Sequence, residues 1–448
     1  MDTEARRHHL VPISAGTPQE LRRVATGLAD DLARRPAAPL AELAMAAATR
    51  QSDGPYRQAV VAADTTEAVR LLRRLPTVAD TAADTPVDTA TGRPVVFLFP
   101  GVGDHYAGMG RDLYRCEPEF RYWLDRCARV LTEQTGTDPR AALYAEPPAR
   151  PDAVHDSGID LARLLGRGDP DEDGPLDRTR VAQSVVFAVE YALARLLAGW
   201  GIVPAAMGGY SIGEYVAATV AGVLALEDAL VLVARRAALI ETLPPGALVS
   251  VLLPPARLAE YLDDELWLAA VNGPELCVVG GAPHAVERLE KRLTAAGVAN
   301  LRARTRHAFH TELMAPVSEP LAALVGTFSL SPPAIPFLSN VDGTWITDEQ
   351  ATSPDYWARH LRRTVRCHHN LTELWRRPGA VALEVGPGQM LGGLAAQHPD
   401  APRHPPVFAT LPGAGRQPDT AAVLGVVGEL WRLGVPVDWP ALWREERR

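Results

Sequence analysis

Residues 205–220 read AAMGGYSIGEYVAATV, a short apolar run followed by a glycine-flanked serine and a second apolar run. This order predicts a buried strand that turns sharply into a helix. In the pattern Gly209-Tyr-Ser211-Ile-Gly213, the glycines let the backbone pass close to its neighbours, so a serine can be held on a tight turn. Its hydroxyl then faces a helix N-terminus, where free N–H groups can stabilise an oxyanion. The pattern indicates a nucleophile elbow, and its alternative is a glycine-lined turn without chemistry.

Strand and helix patterns alternate on both sides of this turn. Residues 95–100 (VVFLFP) predict a strand that is buried on both faces of a parallel sheet. Helical periodicity is predicted over longer stretches, at residues 112–134, 183–201, 216–243 and 422–434. Further strands are predicted at residues 334–341 and 381–386. The alternation predicts an α/β fold with a parallel sheet.

One stretch within this pattern has a different order of predicted strands and helices. Residues 247–308 read as strand, helix, strand, strand, helix, strand, which is the ferredoxin-like βαββαβ order. We therefore expect a small subdomain inserted into a large α/β subdomain made of residues 94–246 and 309–403. The proline-rich and acidic residues 146–178 predict an exposed excursion. Residues 404–448 are expected to form a linker after the large subdomain.

The N-terminal part has the pattern of a separate unit. Residues 9–75 predict a strand, a helix capped by Thr17, a second helix, a strand and a third helix. The polar residues 79–94 that follow have the composition of a linker. We place a boundary near residue 93, which makes residues 1–93 a small α/β linker domain.

The composition of the 448-residue chain excludes several classes of protein. It is 47% hydrophobic and 22% charged, which is typical of a globular protein. The net charge of −9 offers no basic footprint for nucleic acid. The four cysteines are widely separated and contain no CxxC pair, so neither a disulfide framework nor a metal site is indicated. With no signal peptide and no apolar stretch of about 20 residues, we expect a cytoplasmic protein without a membrane partner.

A nucleophilic serine needs a base to accept its proton. Among the 12 histidines of the chain, His310 has the best setting, in the segment RHAFHTELM that directly follows the inserted subdomain. His307, in the same segment, is the alternative. The residues alone predict a Ser211–His310 pair and leave their separation open.

Several blocks of sequence resemble one family in order and spacing. They are FPGVGDHYAGMGRDLY, VAQSVVFAVEYALARLLAGWG, GGYSIGE, LVARRAAL, HAFHTELM, SNVDG and LEVGPGQML. Over residues 95–400 the chain resembles the malonyl-CoA:acyl-carrier-protein-transacylase-like acyltransferase domains of fatty-acid and polyketide synthases. Residues 9–75 resemble the linker domain between a ketosynthase and its acyltransferase, and LWRLGVPVDWPALW resembles the linker that follows the acyltransferase. The resemblance implies an α/β-hydrolase-like core.

The resemblance also implies roles for individual residues of the reaction centre. Ser211 would be the nucleophile and His310 the general base and acid. A backbone carbonyl near His360 would orient the histidine in place of an acid. The backbone N–H groups of Val102 and Ile212 would form the oxyanion hole.

A second set of implied roles concerns the acyl pocket. Arg236 matches the arginine that grips the free carboxylate of malonyl groups, which a planar guanidinium can meet with two parallel hydrogen bonds. Its neighbour Arg235 is the alternative, and a helix-surface arginine is the interpretation without function. Gln183 matches a glutamine that lines the same pocket.

The chain departs from the family pattern at three positions around the pocket. Val102 and His105 stand where the family usually has glutamine, and Tyr210 stands where it usually has histidine. The tyrosine is expected to change the pocket wall. HAFH, residues 307–310, resembles the form found in malonyl-selecting members, and Phe309 would crowd a branch at the α-carbon. Since a methyl group in a pocket is worth only about 1–3 kcal/mol, methylmalonyl stays an open alternative.

The implied function is ping-pong transfer of a malonyl-class acyl group in polyketide or antibiotic biosynthesis. The substrate is an acyl-CoA, the acceptor is a phosphopantetheine carried by an acyl carrier protein, and neither a metal nor a bound cofactor is required. A ketosynthase or a whole synthase module is a further expected partner, through the N-terminal linker domain. Both a freestanding enzyme and a piece of a larger synthase fit the sequence.

Three other functions compete with this one. A GxSxG serine also suits an α/β-hydrolase or a proofreading acyl hydrolase, although neither needs Arg236 or the inserted subdomain. Transfer between two carrier proteins is compatible with the departures at Val102 and Tyr210. A non-catalytic docking protein would not need to keep the serine, the histidine and the arginine.

Overall fold

A computed structural model of the protein describes residues 4–49, 54–75, 92–145, 176, 178–415 and 417–444. Nearly all of the predicted excursion at residues 146–178 and most of the predicted linker at residues 79–94 lie outside the described residues.

The strands follow the α/β pattern of the sequence. In chain order they are β1 (His9–Ala15), β2 (Tyr56–Ala62), β3 (Val95–Phe99), β4 (Ala206–Gly209), β5 (Ala247–Val251), β6 (Leu266–Gly273), β7 (Leu276–Gly281), β8 (Asn300–Arg302), β9 (Phe337–Leu338), β10 (Val381–Pro387) and β11 (Val407–Leu411).

The helices connect and cover these strands. In chain order they are α1 (Pro18–Ala33), α2 (Leu40–Thr49), α3 (Thr65–Arg73), α4 (Arg111–Cys116), α5 (Pro118–Thr135), α6 (Pro139–Leu143), α7 (Thr179–Gly199), α8 (Ile212–Val220), α9 (Leu226–Ile240), α10 (Pro255–Leu258), α11 (Pro283–Ala295), α12 (Ser318–Val325), α13 (Asp348–Ala351), α14 (Pro354–Arg362), α15 (Cys367–Trp375), α16 (Met390–Ala396), α17 (Asp419–Arg432) and α18 (Trp439–Leu442). Two 3₁₀ turns add Ala259–Tyr261 and Glu312–Val317.

A five-stranded sheet in the order β11-β10-β3-β4-β9 forms the centre of the large subdomain, and every pair in it is parallel. The central strand β3 is buried at every position. Val95, Phe97 and Phe99 face one apolar cluster, and Val96 and Leu98 face the other, because successive side chains point to opposite faces. The predicted α/β fold with a parallel sheet is confirmed.

This topology determines where a site can form. In a parallel sheet the carboxyl ends of the strands meet at one edge, so the loops after β3, β4, β9 and β10 converge there. The glycine-flanked Ser211 follows β4 and therefore lies at this edge.

The inserted subdomain is an antiparallel sheet in the order β6-β7-β5-β8, covered by α10 and α11. This is the strand order of a ferredoxin-like unit, as the sequence pattern predicted. Its core is a separate apolar cluster that includes Val249, Val279 and Leu289. The subdomain ends just before residues 307–310, so its last connection leads directly to His310.

Two predicted elements differ in the structure. The single helix predicted at residues 216–243 is two helices, α8 and α9, because Gly222 adopts a left-handed conformation with φ of 81° that ends the first. The strand predicted at residues 334–341 shortens to β9, whose N-terminal side is limited by Pro336.

The predicted boundary after residue 403 also differs from the structure. Residues 404–448 were expected to form a linker, but β11 within them pairs in parallel with β10 and forms the edge of the large sheet. The backbone groups of β10 require a partner on this side, which β11 supplies. Among the described residues of this segment, β11 belongs to the sheet, whereas α17 and α18 lie outside it.

The N-terminal unit packs against the C-terminal helix α17. Strands β1 and β2 form an antiparallel pair, and the predicted Thr17 cap is present, since its hydroxyl accepts a hydrogen bond from Glu20 N at 3.2 Å. At Gly428 of α17 an added Cβ would lie 3.0 Å from side-chain carbons of Ala59 and Leu10, so the glycine allows close approach of the helix. The helix thus joins the N-terminal unit to β11 and the large subdomain.

A buried ion pair also fastens the N-terminal segment. The Arg6 guanidinium donates to both oxygens of Glu117, to Oε2 at 2.7 Å, and a further nitrogen donates to Leu442 O at 2.8 Å. Both side chains are only 3% exposed. The pair therefore connects the N-terminal segment, α5 and α18.

We expect Glu117→Gln to lower the free energy of unfolding by about 3–5 kcal/mol, because it removes one charge of a buried ion pair with the Arg6 guanidinium. The matched control is Glu227→Gln, which breaks a half-exposed pair with Arg126 and should cost at most about 1 kcal/mol. Urea unfolding of both variants measures the difference. Equal small losses would contradict a stabilising role for the buried pair.

Helix α7 is long and apolar enough to cross a membrane by length and composition. However, 83% of the apolar stretch is buried inside the protein. It packs on α5, α8, α9 and β10, which makes it a core helix of the large subdomain.

Candidate active site

Ser211 occupies a strained turn between β4 and α8. Its φ of 54° and ψ of −114° lie outside the common regions for residues with a side chain. The flanking glycines explain the turn, because a Cβ at Gly209 would lie 2.2 Å from Glu214 N and one at Gly213 would lie 2.2 Å from Phe99 O. Only glycine fits at either position, so the local sequence imposes the elbow geometry.

His310 lies within hydrogen-bond distance of this serine. Its Nε2 is 2.7 Å from Ser211 Oγ. The residue has φ of 61°, and its own N–H donates to Leu361 O at 3.0 Å, which holds the turn in place. Within the described ranges, Ser211 and His310 are the two non-glycine residues with positive φ. Backbone strain is therefore concentrated at the predicted pair.

Backbone carbonyls orient the imidazole. His310 Nδ1 lies 3.0 Å from His360 O and 3.1 Å from Arg363 O. Because both partners are acceptors, Nδ1 carries the proton and Nε2 is left to accept from Ser211 Oγ. His360 was predicted from the sequence, but Arg363 was not, because its contribution is a carbonyl that no side-chain pattern reveals.

The alternative base, His307, faces elsewhere. Its Nδ1 lies 3.1 Å from the hydroxyl of Thr179, at the start of α7. It therefore links the end of the small subdomain to the large one and does not contact Ser211.

The surroundings of His310 favour its neutral form. Burial lowers the pKa of His310 well below 6.5, and the nearby His360 and Arg236 lower it further, against the opposing effect of the two carbonyls. His310 as a whole residue is only 5% exposed. A neutral imidazole beside a hydroxyl can accept its proton, so the pair is suited to general-base activation.

Arg236 is buried beside the pair and is largely without partners. It is 1% exposed; one nitrogen donates to Gln183 Oε1, and the guanidinium lies 5.3 Å from the centre of the Tyr215 ring. Nε and Nη2 are buried and have no hydrogen-bond partner among the described residues. Burial lowers the pKa of Arg236, although an arginine stays charged. The alternative, Arg235, is exposed on the same helix.

The loop after β3 lies directly over the elbow. Gly101 has φ of 75°, and a Cβ there would be 2.4 Å from Tyr210 O. The backbone N–H groups of Val102 and Ile212 have no hydrogen-bond partner within the described part of the chain. Two free donors on adjacent turns are the arrangement that an oxyanion hole requires.

Two other predicted pocket residues lie on different sides of this centre. Tyr210 packs in the apolar cluster with Leu98, Ala270 and Val365, under the small subdomain. Phe309 is half-buried and packs against the main core. By contrast, Ser211 is in direct contact with His310, and Arg236 with Gln183.

Two polar residues behind the elbow were not predicted from the sequence. Asn340 Oδ1 accepts a hydrogen bond from Ser211 N at 2.8 Å, and its Nδ2 donates to Gly209 O at 2.5 Å. Glu214, fully buried, accepts from Asn340 N at 2.7 Å. Both residues stand within blocks already noted, SNVDG and GGYSIGE, but only the fold brings them together.

Family comparisons agree with this architecture. The acyl transferase domain family matches residues 96–398, and the family described as CurL-like, PKS C-terminal matches residues 9–72. Among curated proteins, the chain is 38% identical over 350 residues to a phenolphthiocerol/phthiocerol polyketide synthase of Mycobacterium tuberculosis. The match covers 78% of this chain and 22% of that protein, so the chain spans about a fifth of this relative's length.

Solved structures resemble the chain over nearly its whole length. The acyl transferase domain of SpnD, in complex with 2-(pent-4-yn-1-yl)malonyl, has a TM-score of 0.82 and 36% identity, covering 96% of this chain and 97% of that one. The acyl transferase domain of ZmaA has a TM-score of 0.83 and 31% identity, covering 99% and 98%. The chain therefore belongs to the acyl transferase domain family of polyketide synthases.

Proposed function

We propose that the protein transfers a malonyl-class acyl group from coenzyme A to the phosphopantetheine thiol of an acyl carrier protein, through an ester on Ser211. The observation that carries this proposal is the buried guanidinium of Arg236, which has two nitrogens free beside a Ser–His pair.

A free buried guanidinium favours an anionic substrate. Taking a charge out of water is costly unless a partner compensates it. Gln183 occupies one nitrogen of Arg236, which leaves Nε and Nη2 to meet the two oxygens of a carboxylate. An acyl group with no carboxylate would leave the charge uncompensated, so acetyl-type groups are disfavoured.

The proposed reaction has two similar halves. His310 Nε2 accepts the proton of Ser211 Oγ, and the oxygen attacks the thioester carbonyl carbon. The carbon–sulfur bond breaks, and the proton passes from His310 to the sulfur, which leaves as the coenzyme A thiol. The carrier's phosphopantetheine thiol then attacks the ester by the same steps in reverse, and Ser211 regains its proton.

The tetrahedral intermediates of both halves carry a negative oxygen. The N–H groups of Val102 and Ile212 would donate to it, since neither has another partner in the described part of the chain. Losing one such donor typically costs about 3 kcal/mol of transition-state stabilisation. Because these donors belong to the backbone, valine at position 102 can serve as well as the usual glutamine.

The relatives support the substrate class and the partners. The structure of the SpnD domain is of a complex with a substituted malonyl group, and the curated relative named above is a polyketide synthase. We therefore infer an acyl carrier protein as acceptor and a ketosynthase-containing module as the setting, with the N-terminal unit as a contact to it. Phe309, beside the dyad in sequence, is inferred to favour malonyl over α-branched groups.

The test uses malonyl-CoA labelled in the acyl group, with and without a carrier protein bearing phosphopantetheine. We expect intact mass spectrometry to detect a malonyl adduct on Ser211, and the label to pass to the carrier when it is added. Ser211→Ala is the control and should form no adduct. Label found only as free malonate would favour a hydrolase, and no adduct from malonyl-CoA would contradict the proposal.

The lowered pKa of His310 predicts the pH dependence of the first half-reaction. The neutral imidazole is the active base, so the acylation rate should be flat near neutrality and fall only as the pH drops through that lowered pKa, well below 6.5. Rapid-quench measurement of adduct formation across acidic and neutral pH provides the test. A half-maximal rate near the ordinary histidine value of about 6.5 would contradict it.

A further inference from the structure

Glu214 is a buried residue directly behind the elbow. Its backbone N–H donates to Ser211 O at 3.1 Å, while the hydrogen bonds of its carboxylate within the described residues go to Asn340 and Tyr356 and not to the dyad side chains. It lies in the first turn of α8 and is 0% exposed. Oε2 accepts from Asn340 N at 2.7 Å, and Oε1 accepts from the hydroxyl of Tyr356, which is 2.7 Å from Ser339 Oγ. Both carboxylate oxygens of Glu214 therefore accept hydrogen bonds from groups of this chain.

One arm of contacts runs from Glu214 to the nucleophile. Asn340, fixed by Glu214 through its N–H, accepts from Ser211 N and donates to Gly209 O. These two hydrogen bonds fix the backbone from Gly209 to Ser211, where the positive φ of Ser211 determines the direction of its side chain. They also direct the Ser211 N–H away from the reacting face, which leaves the next N–H, that of Ile212, as the free donor.

A second arm runs from Glu214 to the base. His360 Nε2 lies 3.4 Å from Glu214 Oε2 without a hydrogen bond between them, and the His360 ring meets the His310 ring edge to face with centroids 5.6 Å apart. The carbonyl of His360 accepts from His310 Nδ1. The carboxylate is thus one residue removed from the imidazole that becomes protonated in each half-reaction.

The groups around His310 determine how easily its imidazole is protonated. His310 is faced by Arg236 and His360, both of which disfavour its protonation. Glu214 is faced by Tyr356, Tyr215 and His360, and Asp342 also acts electrostatically on Tyr356. Glu214 is the carboxylate next to His360, whose ring lies between it and His310, and opposite charges interact more strongly in a buried setting than in water.

We propose that Glu214 is a positioning residue for both members of the dyad, holding Ser211 through Asn340 and His310 through His360, and that its charge stabilises the protonated His310 formed during acyl transfer. The proposal rests on the proposed function, because it requires that the dyad forms the acyl-serine. Glu214 would thus act as the acidic group that a Ser–His pair lacks, with His360 lying between it and His310.

The test compares Glu214→Gln with the wild type in single-turnover acylation by malonyl-CoA. We expect the maximal rate to fall about 10- to 100-fold with little change in the concentration needed for half saturation. Loss of the negative charge should also move the acidic limb of the pH profile to lower pH by roughly 0.5–1 unit. A titration of the His310 ring by NMR should show the same direction of shift.

Glu117→Gln is the matched control, since it also neutralises a buried carboxylate but lies away from the dyad. It should lose stability without moving the pH limb. If Glu214→Gln keeps the wild-type limb and His310 titration, the charge role is refuted. If the wild type itself forms no adduct, the proposed function fails, and this outcome is distinct from failure of the inference.

A second variant keeps the proposal testable if Glu214→Gln does not fold. Asn340→Ala retains Glu214 and removes the acceptor for Ser211 N together with the donor to Gly209 O. It should slow acylation about 10-fold at an unchanged pH limb. A wild-type rate would overturn the nucleophile arm of the proposal.

Discussion

His310→Ala is expected to lower the rate of Ser211 acylation by malonyl-CoA by on the order of 10⁵-fold, because without the base nothing accepts the proton of the serine hydroxyl. The imidazole nitrogen lies 2.7 Å from the hydroxyl, and no other base contacts that oxygen within the described residues. Residual turnover should come from substrate binding and the oxyanion donors alone. Single-turnover adduct formation followed by mass spectrometry measures the loss.

His307→Ala is the matched control from the same HAFH block. Its ring contacts Thr179, so its loss should weaken a link between the subdomains and leave the chemistry within about 10-fold of the wild type. If the two variants lost activity equally, the assignment of His310 as the base would be wrong. If His310→Ala kept more than about a hundredth of the rate, another base would have to be sought.

Arg236→Ala is expected to reduce kcat/KM for malonyl-CoA by roughly 10²- to 10³-fold, because a buried charged pair with the substrate carboxylate is lost. The loss should be selective. The acetyl group of acetyl-CoA has no carboxylate that could bind Arg236. The substitution should therefore leave the rate of acetyl transfer unchanged or raise it, and the ratio of acetyl to malonyl transfer should increase. Competition between the two labelled acyl-CoA substrates gives the ratio directly.

Two neighbouring substitutions sharpen this test. Arg235→Ala removes an exposed arginine from the same helix and should have no effect on selectivity. Arg236→Lys keeps the charge but loses the planar fork, so it should recover only part of the malonyl preference. Unchanged malonyl loading by Arg236→Ala would contradict the carboxylate clamp, while acylation of Ser211 could still occur.

Local sequence accounts for much of the elbow. Gly209 and Gly213 are required by contacts at 2.2 Å that any Cβ would make, so the GxSxG spacing alone specifies the turn. The five buried residues of β3 likewise indicate a strand covered on both faces. The helix at residues 216–243 was less predictable, because a glycine inside a helical pattern is compatible with continuation as well as with the break at Gly222.

The sequence patterns predicted a serine and a histidine, and the family resemblance added an arginine, but neither pointed to their supporting groups. Arg363 contributes only its carbonyl, which every residue type possesses. Asn340 and Glu214 are separated by more than a hundred residues and meet because β9 and β4 are neighbours in the sheet. Such contacts depend on strand order, which no local periodicity encodes.

By itself, the amino-acid sequence determined the α/β pattern, the inserted ferredoxin-like unit and the strained turn at Ser211, since each depends on residue spacing within one segment. Tertiary structure alone decided that β11 belongs to the large sheet and that His310, Arg236 and Glu214 surround one serine. The physical reason is that burial and hydrogen bonding between distant segments are properties of the packed sheet edge, where the ends of parallel strands converge.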